Sequence, residues 1–287
     1  MACCSRVYPL GGNMWVDDVV RIGRFLRGAW AFRGRPDDVF ISSYPRSGTT
    51  WLQHITHVLQ SNGDVSFAHI SDVVPWFERS LSLGRLRAAD FNTRPGRRLF
   101  KSHLPRGYLP AGARYIYAVR DGRDVATSYF HFYCSHLGFA GDFAEFFERF
   151  MEGRLQYGSW FKHVAGWRYY EGQPDVLFVR YERLLSHLDQ ELSRIARFLG
   201  LGISAGRLSE LRALCEFSFM KENEEKFDHA RGEPEASHVE QGRFLRRGRQ
   251  GSHQELFSPE QLVRFAAMSE SAGRRATLEL RLAAFLH

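Results

Sequence analysis

Four short stretches of the chain carry residues suited to holding anions and moving a proton. The first, YPRSGTTW at 44–51, follows the apolar run DDVFISS. A strand ending at Ser43, a tight turn through Pro45 and Gly48 and a helix beginning near Thr49 aim free backbone N–H groups outward, where they favour an anion. Thr49 and Thr50 add hydroxyls, and Arg46 adds a charged fork of donors. A capped turn that binds nothing reads the same way. The turn is no Walker loop, because the first Gly and the Lys before Ser/Thr are missing.

The second stretch is FKSHLP at 100–105. Lys101 and His103, two apart at a strand end, share one side if the strand continues. A near-neutral imidazole beside a fixed cation suits removal of a proton from an attacking hydroxyl. A hydrogen-bonded core histidine is the plainer alternative. In VRDGRDVATSYFHF at 119–132, Arg120 and Ser128 together make a phosphate clamp, with Asp124 read as a partner for the helix dipole. The last, GRFLRRGRQG at 242–251, is either a solvated basic loop or a backbone nest that closes over a phosphate.

These residues need elements to hold them. The runs 38–44, 98–103, 114–120 and 175–181 are rich in Val, Ile, Phe and Tyr without polar alternation, as expected of strands buried on both faces of a parallel sheet. Helical stretches fall at 48–60, 122–137, 143–152, 158–172, 186–199, 206–215 and 259–270, with Asp142, Ser159 and Ser258 as caps or first-turn residues. The alternation predicts a three-layer α/β fold around a central, mostly parallel sheet, with ligands outside the carboxyl ends of its strands. Segment 61–97 reads as a lid, a substrate wall or a surface excursion, and 222–251 as a long loop. With no repeat or linker, residues 1–287 are expected to form one domain, residues 1–34 being an N-terminal extension.

The 287-residue chain is 44% apolar and 14% aromatic, enough for a sizeable core. Its net charge of +7 favours anionic ligands. Arginines are spread along the chain, which argues against a nucleic-acid surface. Four cysteines, Cys3, Cys4, Cys134 and Cys215, form neither a metal spacing nor a disulfide framework, so a reducing, cytoplasmic setting is expected. The adjacent Cys3 and Cys4 are a candidate pair for lipid attachment. No signal peptide or membrane span is read in the sequence.

Taken together and in order, the four stretches resemble the cytosolic sulfotransferases. YPRSGTTW is similar to the family's YPKSGTTW, Lys101-Ser-His103-Leu-Pro to K-x-H-L-P, and Arg120, Asp124, Ser128 and YFHF to R-x-x-x-D-x-x-x-S followed by Y-H-F. FLRRGRQG is similar to F-M-R-K-G-x-x-G, and RPDDVFIS, YGSWFKHV, VRYERL and RIARFLG extend the likeness over about residues 35–270.

The resemblance implies sulfuryl transfer from 3′-phosphoadenosine 5′-phosphosulfate (PAPS) to a hydroxyl or amine of a small, apolar, aromatic or steroid-like acceptor, without a metal. It implies that Arg46, Ser47, Gly48, Thr49, Thr50 and Trp51 hold the 5′-phosphosulfate. Arg120, Ser128, Arg246, Arg247 and Gly248 would hold the 3′-phosphate. Trp51 and Phe219 would enclose the adenine, with Tyr181 and Ser218 nearby. His103 would be the general base, helped by Lys101, Arg46 and Ser128. The aromatic-rich segments around Phe77, Phe139 and Phe143 to Phe147 read either as an apolar acceptor pocket or, for most of these rings, as core. The alternative is a weakly active or inactive nucleotide-binding regulator of the same fold, to which Arg46 in place of the family's Lys and SHQ (252–254) in place of D-W-K point. The change at 252–259 also removes the family's usual dimer signature, so that dimer is not expected.

Overall fold

The computed structural model describes residues 14–85, 87–93, 96–228 and 244–285. Cys3, Cys4 and the part of the expected loop at 229–243 lie outside these residues. Among the described residues, four parallel strands form the sheet in the order β2-β1-β3-β4: β1 (Val39–Ser43), β2 (Leu99–Ser102), β3 (Arg114–Val119) and β4 (Val176–Arg180). Register runs from Val39 opposite Leu99 and Arg114 to Tyr115 opposite Val176.

Side-chain parity divides the sheet into two buried faces. Val39, Ile41, Leu99, Ile116, Ala118 and Val179 pack with one set of helices, while Phe40, Phe100, Tyr115, Tyr117 and Val176 pack on the other. That is why no strand sequence alternates with polar residues.

Helices cover both faces, in chain order α1 (Met14–Ala31), α2 (Thr49–Gln60), α3 (Ile70–Val73), α4 (Phe77–Ser82), α5 (Ala88–Asn92), α6 (Gly122–His136), α7 (Phe143–Met151), α8 (Trp160–Arg168), α9 (Tyr181–Ser186), α10 (Leu188–Phe198), α11 (Ala205–Cys215), α12 (Phe217–Glu222) and α13 (Pro259–Phe285). Asp142 and Ser159 cap α7 and α8 by accepting the N–H groups of Glu145 and Lys162. Ser258 Oγ accepts Gln261 N–H at the start of α13. α6, α7, α8 and α13 enclose a second aromatic core with Tyr44, Tyr129, Tyr133, Phe146 and Phe150.

One expectation needs correction. Segment 61–97 is not a surface excursion, because α3 to α5 bury Ile70, Phe77, Leu81 and Phe91 against the sheet. Within the stretch 1–34, α1 packs along α4. At the amino end of the sheet, Arg98 binds the Asp38 carboxylate through Nε (2.6 Å) and a terminal nitrogen (2.5 Å), with both residues buried. A pair so placed holds β1 to the β2 entry and leaves the opposite, carboxyl edge for chemistry.

Candidate active site

At the carboxyl edge, β1 passes through the turn 44–48 into α2. Arg46 (φ 67°) and Gly48 (φ 94°) are both left-handed, so the turn curls its amides around a common centre as an anion-binding nest does. A Cβ on Gly48 would lie 2.6 Å from the Tyr181 ring, so glycine is needed for space as well as for conformation. Ser47, Thr49 and Thr50 are buried at this helix entry, where the first N–H groups have no helical partner. Ser43 Oγ hydrogen-bonds Thr49 Oγ1 and ties the strand end to the helix.

Arg46 reaches back across the turn. Its Nε donates to Ser128 Oγ on α6 (3.3 Å) and a terminal nitrogen donates to the Phe244 carbonyl (2.9 Å), with the guanidinium against the rings of Phe132 and Phe244. Burial, aided by Arg120, brings its pKa down to about 10, which leaves it cationic at neutral pH. Arg120, just beyond β3, donates to the carbonyls of Arg46 and Arg249 (both 3.2 Å) and covers the Tyr181 ring at 4.3 Å. Its buried Nε has no hydrogen-bond partner among the described residues.

Arg246 is half-buried, and burial and then Arg247 hold its pKa below the ordinary arginine value. Arg247 and Arg249 both pair with Glu255. A Cβ on Gly248 (φ 61°) would lie 2.3 Å from the Phe217 ring, so only glycine fits there. The cluster therefore has converging cations, an orphan donor and a backbone nest, a donor set that fits phosphate and sulfate oxygens.

His103 stands one residue beyond β2 and is fixed at three points. Its ring Nδ1–H donates to the Ser43 carbonyl (2.9 Å), its backbone N–H donates to Glu78 Oε1 (2.8 Å), and its carbonyl accepts Nε2–H of His163 (3.0 Å). Since a carbonyl only accepts, the neutral ring carries its proton on Nδ1 and its lone pair on Nε2. Burial, then Lys101, holds the ring well below the ordinary histidine value. Lys101 Nζ lies 4.0 Å from the centre of the Trp76 ring, and burial lowers its pKa well below the ordinary lysine value while Glu78 opposes that shift. Trp76 and Tyr157 meet the His103 ring edge-on at 5.1 and 5.2 Å. The imidazole is thus tied to the last residue of β1, directly beside the anion turn.

Hydrogen bonds connect the carboxyl ends of β1, β2 and β3, bringing Arg46, His103, Arg120 and Ser128 into one region. Trp51, at the start of α2, donates Nε1–H to the Cys215 carbonyl (2.8 Å) and meets Tyr181 and Phe217 at 5.7 and 5.5 Å.

Phe219, expected opposite Trp51, instead stacks on His54 (5.4 Å, 2°). Two residues apart on a helix, Phe217 and Phe219 cannot face the same way, and it is Phe217 that meets Trp51. Ser218 is exposed and bonds Glu216, away from this cluster. Phe77, Phe146 and Phe147 are fully buried core residues. Asp124 is more than a dipole partner: its buried carboxylate accepts the N–H groups of Gly251 (2.8 Å) and His253 (3.0 Å) and the His253 ring Nδ1–H (2.8 Å). Sequence reasoning missed Glu78 and the roles of Phe217 and His253. Only the helical offset of Phe217 from Phe219 offered a local signal.

A family model described as "Sulfotransferase domain" matches residues 36–277. Sulfotransferase 1B1 of Canis lupus familiaris is 32% identical over 270 residues, covering 87% of this chain and 88% of its own. Sulfotransferase 1E1 of Homo sapiens is 31% identical over 263 residues, covering 88% of each. Among solved structures, retinol dehydratase in complex with androsterone and the inactive cofactor PAP superposes with a TM-score of 0.75 at 25% identity, over 87% of this chain and 85% of that one. Mouse sulfotransferase SULT7A1 complexed with PAP gives 0.70 at 26% identity, over 94% and 96%. A matched domain over most of the chain, built around a nest that suits a phosphosulfate, makes this protein a member of the sulfotransferase family and an enzyme that uses PAPS as its sulfuryl donor.

Proposed function

We propose that the acceptor is a small apolar molecule with a hydroxyl or amine on or near a flat ring, and that His103 is the general base. The observation that carries this is the tautomer of His103: with Nδ1–H spent on the Ser43 carbonyl, the lone pair belongs to Nε2. His103 Nε2 takes the acceptor proton as the acceptor oxygen or nitrogen bonds to sulfur and the bond from sulfur to the bridging oxygen breaks. Lys101, Arg46 and the amides of the 46–50 turn offset charge on the sulfuryl oxygens and the departing 5′-phosphate. Arg120, Ser128, Arg246 and Gly248 hold the 3′-phosphate. Trp51, Tyr181 and Phe217 form the aromatic seat for adenine, Phe217 replacing Phe219 in this role. Trp76 and Tyr157, the aromatic collar around His103, favour a ring-bearing acceptor, and the androsterone complex of the structural relative supports a flat apolar ligand.

The test is labelled sulfuryl transfer to a panel of phenols and steroids, paired with melting in adenosine 3′,5′-bisphosphate. Wild type should turn over at least one acceptor. His103→Ala should lose ~10²–10⁴ in kcat while keeping nucleotide-induced stabilisation. Full turnover by His103→Ala removes the base assignment. Stabilisation without transfer to any acceptor favours the regulatory reading, for which Arg46 locked to Ser128 and Phe244 is the specific support.

A further inference from the structure

α1 has two unlike faces. Phe25 and Ala29 pack onto the aromatic core under the sheet, and Gly28 lies against Leu81 of α4. The outer face carries Val19, Ile22, Leu26 and Trp30, which are 65%, 54%, 60% and 91% exposed. Steps of three, four and four residues set these four side chains in one line along the helix. Single exposed apolar residues are ordinary, whereas a continuous line ending in a bare indole marks a contact surface.

The flanking charge identifies the partner. Residues 19–35 include Arg21, Arg24, Arg27, Arg33 and Arg35 and no Asp or Glu, the nearest preceding acids being Asp17 and Asp18. Arg24, Arg27 and Arg33 are exposed. A second copy meeting this face across a two-fold axis would set arginine against arginine. An anionic lipid surface satisfies both features, taking the apolar line among acyl chains and the guanidinium groups at the phosphates. Among the described residues no helix is long and apolar enough to cross a membrane, so the contact is with the surface.

We propose that α1 docks the enzyme on anionic membranes, with Leu26 and Trp30 as its points of insertion. This surface does not depend on the acceptor assignment, and its test does not use turnover as the primary readout. The full chain is floated with vesicles of phosphatidylcholine alone or with roughly a third phosphatidylserine, a strongly anionic composition. Wild type should float with the anionic vesicles and little with the neutral ones, and should detach as salt is raised. Leu26→Glu/Trp30→Glu should cut the bound fraction ~10-fold or more, since both apolar contacts are lost. Arg24→Glu/Arg27→Glu should weaken binding to the anionic vesicles. Melting curves show that each variant is folded, and because Trp30 is nearly bare, Trp30→Glu alone serves if the double change destabilises. The proposal is overturned if wild type does not float, or if folded Leu26→Glu/Trp30→Glu and Trp30→Glu bind as wild type does. Self-association lost on the same substitutions, without vesicle binding, assigns the stripe to a second copy instead.

Discussion

Glu78 is the residue on which the reaction centre converges. Its Oε1 accepts Trp76 Nε1–H (2.7 Å), His103 N–H (2.8 Å) and Tyr157 O–H (3.4 Å), so one buried carboxylate fixes the base and both flanking rings. Burial raises its pKa, while the hydrogen bonds from Trp76 and His103 act in the opposite direction. The negative form matters to Lys101, whose pKa burial lowers and Glu78 raises. Glu78→Gln retains an accepting oxygen for all three donors and removes only the charge. Lys101 should then lose its proton more readily, moving the alkaline limb of the pH–rate profile to lower pH, with nucleotide affinity little changed. Measuring kcat/KM against pH checks this, and an unmoved limb would mean that the carboxylate charge does not set Lys101. In the sequence Glu78, in PWFERS, is one of 32 acids and carries no mark of its own. Its burial arises from β2 passing beside α4, a contact between distant segments that no local pattern records.

Among the elements, the segment 244–255 is held from three sides. Arg46 donates to Phe244, Arg120 donates to Arg249, and Asp124 takes Gly251 and His253. His253 stands where the family resemblance has Trp, and its ring supplies a third donor to the Asp124 carboxylate. If this clasp sets the segment for the donor's 3′-phosphate, His253→Ala should raise the KM for PAPS ~10-fold and leave kcat within about twofold, as loss of one charge-assisted hydrogen bond implies. His253→Asn, whose amide can donate from a similar place, should recover part of that loss. A fall in kcat at unchanged KM would instead tie the clasp to the chemical step.

Elements with a strong burial pattern were legible in the sequence: all four strands lie within a residue of their expected bounds, and Asp142 and Ser159 cap as expected. The short helices α3 to α5 were not legible, because four to six residues give too little periodicity to set apolar against polar. The adenine-side segment failed for a related reason. α12 begins at Phe217, and which of its two phenylalanines faces Trp51 depends on where that helix starts.

At the scale of the whole molecule, folding keeps several histidines neutral. Burial lowers the pKa of His54 and of His163 from 6.5 to about 4, and holds His103 well below its ordinary value. His163 shows the structural cost of protonation. Its Nε2–H donates to the His103 carbonyl, so Nδ1 must accept the Tyr117 hydroxyl (2.9 Å), and a proton on Nδ1 removes that acceptor. The folded pKa values lie below the unfolded ones, so the unfolded chain binds more protons as pH falls. The contribution of these rings is therefore complete above about pH 6.5 and is lost as pH falls towards 4, at up to ~1.4 kcal/mol per pH unit for each ring. Asp121, Glu148 and Glu255 have pKa values lowered from already acidic ones, so their losses fall mainly below this window. Urea unfolding at pH 7, 6 and 5 should show stability falling with acid, and His163→Gln, which can still donate to His103 and accept from Tyr117, should flatten part of that slope. Because His163 grips the peptide of His103, turnover should decline over the same range before the chain unfolds. A stability that is flat from pH 7 to 5 would mean that the buried rings accept protons without disturbing their contacts, and the link between His163 and the reaction centre would fall with it.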